Sequence, residues 1–158
     1  SADSYFLVKD EEDHIISATA LQNALAGANP LFLDALVIRT LPNDISKMQR
    51  RYAEHPPPFL SIEAMHVINA HGVEHILVDI PSLDRARDEG RLSAHHLFWD
   101  VTQGSHEVDP QQHSMRTVTE MIYVPDRIPD GRYFLDLQLA PFVADAAPSR
   151  PVLFPIDT

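Results

Sequence analysis

A chain of 158 residues with 44% hydrophobic and 22% charged residues has ordinary globular composition and is long enough to bury a core unaided. Its 12 Lys and Arg stand against 23 Asp and Glu, and the net charge of −11 opposes nucleic acid and anionic lipid, which select basic surfaces. There is no cysteine, hence no disulfide or thiolate metal site, and no apolar run reaches the roughly 18–20 residues of a membrane span.

Ser17 is a suitable N-cap for a helix over residues 18–26, with Gly27 placed to stop it. Residues 35–40, ALVIRT, form a short apolar run expected of a buried strand. The stretch from Pro42 to Pro58, with Pro56, Pro57 and Pro58 in a row, reads as an irregular covering loop. Ser61 caps a second helix over 62–70 that Gly72 ends, with Ala64, Val67, Ile68 and His71 on one face. Residues 74–80, EHILVDI, form another buried strand, and this order predicts crossover connections in a partly parallel layer. Residues 119–124 and 132–139 flank the turn signal Pro129-Asp130-Gly131 and are predicted to pair as an antiparallel hairpin, with 152–154 as a last strand. The fold class expected is α/β, with a mixed sheet and an antiparallel C-terminal part.

The chemistry-bearing residues gather after the second strand. Asp79, Ser82, Asp84, His95 and Glu120 fall at expected strand ends, where sites are commonly built. A structural turn is the default for Asp79 to Asp84, because short polar side chains bond turn amides. In the pair His95-His96, one imidazole can ligate a metal while the other packs. Glu120 gains interest only near His95. His66 and His71 are five apart, and Gly72 separates His71 from His75, so neither pair makes a helical metal clamp; they read as structural or surface groups. His106, Glu107, Asp109 and His113 read as a solvated loop, with a lid as the alternative. No phosphate-binding glycine loop or nucleophile elbow is present.

With ALVIRT, FLSIEA at 59–64, HGV at 71–73, VDIPSLD at 78–84, LSAHH at 92–96, TEM at 119–121 and APSRPVL at 147–153, the chain resembles the cyclase family of metal-dependent hydrolases. That family includes kynurenine formamidase and isatin hydrolase. The resemblance implies a swivelling β/β/α architecture, a homodimer or homotetramer, and a centre holding zinc or, alternatively, manganese. It further implies that His95 and Glu120 are metal ligands, that His96 is their neighbour, and that Ser82 and Asp84 shape the turn beneath. The family's main motif, H-x-G-T-H-x-D-x-P-x-H, is absent, and the segment from His95 to Glu120 is longer than in compact members. The expectation is therefore one domain over 1–158, the C-terminal part of a larger one, whose catalytic residues lie upstream. The opening Ser1-Ala2, without methionine, agrees with a processed or truncated start.

The function this implies is hydrolysis of an amide, formamide or cyclic amide bond in a small-molecule substrate, in the cytoplasm, without nucleic-acid or membrane partners. The alternatives are a non-catalytic protein that keeps the fold without a complete metal site, and assembly with a second chain that supplies the missing motif.

Overall fold

The computed structural model describes residues 10–107, 111 and 113–156. Asp109 and Gln112 of the polar loop lie outside these residues. The chain divides into two compact units, Ser1–Val124 and Pro125–Thr158.

In the first unit, β1 (Ile15–Ile16) pairs in parallel with β3 (Phe59–Leu60). A three-stranded parallel sheet has β4 (His75–Val78) at its centre, between β2 (Ala35–Ile38) and β5 (Thr117–Thr119). The crossovers carry the helices. Helix α1 (Ala18–Ala24) packs on α2 (Ile62–Ala70), and α2 packs on α3 (Ser93–Trp99). Both predicted caps form: Ser17 Oγ accepts from the Ala20 amide at 3.2 Å, and Ser61 Oγ from the Ala64 amide at 3.0 Å. Ala64, Met65 and Ile68 are buried on α2, and Ile76, Leu77 and Val78 of β4 are buried too. That continuous apolar run is what a parallel strand covered on both faces requires. Leu83, Ala94 and Phe98 extend the same core toward α3.

Within the covering loop, a 3-10 helix over Ile45–Gln49 delivers Lys47 to the interior. The Lys47 ammonium bonds Asp79 Oδ2 at 2.7 Å and Thr40 Oγ1 at 2.9 Å, and also meets the Thr40 carbonyl. Asp79 in turn accepts from the Thr40 amide and hydroxyl, each at 2.9 Å. Asp79, one of the polar residues expected at strand ends, is thus a latch between the carboxyl ends of β2 and β4. A buried carboxylate needs such partners, because losing water without replacement is costly.

The structure departs from expectation at two places. Residues 93–99, for which the sequence reading assigned no element, form α3. The segment at 117–119 belongs to the parallel sheet, not to a hairpin across Pro129-Asp130-Gly131. The antiparallel hairpin joins β6 (Tyr133–Leu139) to β7 (Ser149–Pro155), in register from Tyr133↔Pro155 to Leu139↔Ser149. Tyr133, Leu135 and Leu137 are half-buried and Phe134, Asp136 and Gln138 exposed, an alternation that breaks at the exposed Leu139. Pro151 and Pro155 are tolerated because each strand of a two-stranded ribbon is an edge.

Candidate functional site

The turn after β4 is held on three sides. Leu83 accepts from the Leu60 amide at 2.9 Å through its carbonyl, and its own amide donates to Glu120 Oε1 at 3.2 Å. Ser82 Oγ accepts from the Asp84 amide at 3.1 Å, the local side-chain turn expected there. Asp84 is consequently fixed and 1% exposed.

Asp84 does more than shape the turn. The residue before α3, Leu92, lies in the left-handed region at φ 47 and offers no capping side chain. Asp84 takes over that role from a distance. Its Oδ1 accepts from the Ala94 amide at 2.6 Å, and its Oδ2 from the His95 amide at 3.3 Å. The same Oδ2 meets His95 Nδ1 at 2.6 Å. One carboxylate thus caps the helix and fixes the imidazole that the helix carries.

The other ring nitrogen, Nε2, is 3.4 Å from Glu120 Oε1. Glu120 directly follows β5, and the next residue, Met121, also takes a positive φ of 59. The chain resumes bonding to the β4 side through Met121 N–H to Ile80 O and Ile122 N–H to Val78 O, both at 3.1 Å. Left-handed backbone at Leu and Met is uncommon and persists where surrounding bonds over-determine it. Here it falls beside both ends of the His95 contact.

Burial pulls the His95 pKa down, but the hydrogen bonds and charges of Asp84 and then Glu120 overcome it and raise the pKa to about 9. Without a metal, His95 is an imidazolium between two carboxylates at neutral pH. Trp99, one helical turn on, packs its ring 4.9 Å from the His95 ring. Trp99 Nε1 donates to Arg116 O at 3.1 Å, and Arg116 donates to Phe98 O at 2.6 Å. These bonds tie the end of α3 to the approach of β5.

His96 points elsewhere. Its ring lies edge-on to His106 with centroids 6.4 Å apart, which brings the exposed polar loop against α3. Burial lowers the His96 pKa, with His106 and His95 adding to that effect against Asp84. His66 and His71 are exposed, and His75 Nδ1 is bonded to Thr117 Oγ1 at 2.8 Å, in keeping with structural or surface roles.

The residues that would hold a metal fit in part. Two zinc ligands at roughly 2.1 Å and a tetrahedral angle lie about 3.4 Å apart, the separation of His95 Nε2 and Glu120 Oε1. Asp84 on Nδ1 supplies the carboxylate that commonly orients a metal-binding histidine. Among the described residues, however, no group of three His, Asp or Glu side chains is arranged to hold an ion. The donor pair is therefore one short of the three protein ligands that a catalytic zinc usually takes.

Sequence reasoning paired His95 with Glu120 through a resemblance but missed Trp99 and the capping role of Asp84. The i, i+4 spacing of His95 and Trp99 was the available signal, and it has meaning only once α3 is recognised. No protein-family model matches the chain, and no curated protein matches it. No described helix is long and apolar enough to cross a membrane.

Proposed function

We propose that Asp84, His95 and Glu120 are the C-terminal share of a metal centre that hydrolyses an amide, formamide or cyclic amide bond in a small molecule. The observation that carries this reading is a single one: an imidazole fixed by a buried carboxylate on Nδ1, with a second carboxylate one ligand edge away from Nε2. Such an arrangement favours a cation, and in the metal-free chain the His95 proton fills that role. Zinc, or alternatively manganese, would supply Lewis acidity at this point when bound.

The residues of the chain have separable tasks. Asp84 sets the tautomer and direction of His95. Glu120 contributes negative charge, and its bond to the Leu83 amide holds that charge toward Nε2. Trp99 packs a tilted ring against His95 and so restrains the imidazole from the helix side. Because Nε2 must lose its proton to bind a metal, zinc affinity rises with pH. Calorimetric zinc titrations at about pH 6 and about pH 8 test this: tighter binding at the higher pH, with proton release, is expected. A pH-independent isotherm would contradict it.

The family resemblance supports further ligands upstream of Ser1, a homodimer or homotetramer, and a cytoplasmic setting. The second reading is a non-catalytic protein of the same fold. It is favoured by one observation, that only two donors converge where a catalytic zinc usually takes three. Metal analysis of the full-length protein separates the two, since the non-catalytic reading expects no stoichiometric ion.

A further inference from the structure

The segment before β3 carries a second concave feature that the metal reading does not use. Arg50, Arg51, Tyr52, Glu54, His55 and Pro58 line much of an open cleft of about 730 Å³, within the size range of small-molecule sites. Two adjacent arginines in one cleft are unusual company in a chain of net charge −11. Their carboxylate neighbours hold them weakly. Arg50 lies 3.8 Å from Asp44 and Arg51 lies 3.7 Å from Glu54, both beyond hydrogen-bond distance and solvated. Each guanidinium has five N–H donors in a planar fork, so donors remain for a ligand.

The cleft is also anchored where ligands collect in parallel sheets, outside the carboxyl ends of the strands. Tyr52 donates its phenol to the carbonyl of Asp79, the residue just beyond β4, at 3.3 Å. Lys47, on the 3-10 helix of the same segment, binds Asp79 and Thr40 at the ends of β4 and β2. The Pro56 to Pro58 run gives the cleft a stiff apolar wall, and Pro57 is buried. Burial raises the Tyr52 pKa, opposed by the charge of Arg50, so the phenol stays protonated and keeps its role as donor.

We propose that this cleft binds the carboxylate end of a small, flat organic anion, with Arg50 and Arg51 on the carboxylate and the proline wall against the ring or chain. A carboxylate matches the guanidinium fork in two parallel bonds. It brings a single negative charge, whereas phosphate brings more into the field of a strongly acidic chain. The site stands on the cleft alone and is independent of whether His95 and Glu120 take a metal.

Benzoate, benzamide and inorganic phosphate are the probes. The measurement is the shift of Tyr52 and His55 resonances on titration, for the wild type and for R50Q and R51Q. Benzoate is expected to shift both residues saturably, with benzamide and phosphate at least about tenfold weaker, and with each substitution weakening benzoate about tenfold. Arg50 is partly and Arg51 largely solvated, so R50Q and R51Q are expected to unfold at the wild-type temperature, the control that the fold survives. No saturable shift, equal binding of benzamide, tighter binding of phosphate, or benzoate binding that survives both substitutions would each overturn the proposal.

Discussion

His95 holds its charge between two carboxylates, and the energetics of the site follow from that residue. Its folded pKa of about 9 lies above the ordinary value of 6.5. The stabilisation this brings to metal-free protein is full below about pH 6.5 and is lost as pH rises through about 9. The span corresponds to roughly 3 kcal/mol at most. Urea unfolding across that range is expected to show the decline in the wild type and a much flatter profile in H95Q. Equal slopes would contradict the assignment. D84N removes a buried charge that serves two backbone amides and the imidazole, so a loss of about 2–3 kcal/mol at pH 6 is expected by the same measurement. His95 and Glu120 could be paired from sequence only by resemblance, since nothing in a separation of 25 positions says that two residues meet. The bond from Asp84 to His95 was hidden because it depends on a helix start in left-handed backbone at Leu92, which no capping residue announces.

Elements with local signals were legible, and those set by distant contacts were not. Helix α2 begins and ends where Ser61 and Gly72 indicate, because a cap is a bond between near neighbours. Removing that bond in S61A is expected to cost about 1 kcal/mol, read from the denaturant midpoint. The hairpin shows the converse. Pro129-Asp130-Gly131 marks a bend, but a turn does not choose a strand's partner, and β6 pairs forward with β7 through seven register pairs. The Lys47–Asp79 latch was equally invisible, being made across 32 positions between a short 3-10 helix and a strand end. K47M leaves Asp79 buried without its cation, and a loss of about 3–5 kcal/mol is expected in urea unfolding. The double variant K47M/D79N should recover part of that loss, since it removes the unpaired charge.

At the scale of the molecule, the candidate site lies entirely in the first unit, while the second is built on one two-stranded ribbon. Such a ribbon is at best marginal by itself in water, so a peptide of residues 125–158 is expected to give a disordered circular-dichroism spectrum. In that unit the cross-strand pair Phe134 and Phe154 remains 65% and 52% exposed, a surface suited to further burial. The central claim concerns the first unit, where His95 Nε2 and Glu120 are proposed to hold a metal while Asp84 fixes the imidazole through Nδ1. The most direct test is the zinc content of the full-length protein after equilibrium dialysis against zinc, compared with H95A and E120Q. The account predicts about one or two ions per chain in the wild type and a clear loss in both variants. No bound zinc in the wild type, or zinc retained undiminished by H95A and E120Q, would contradict it.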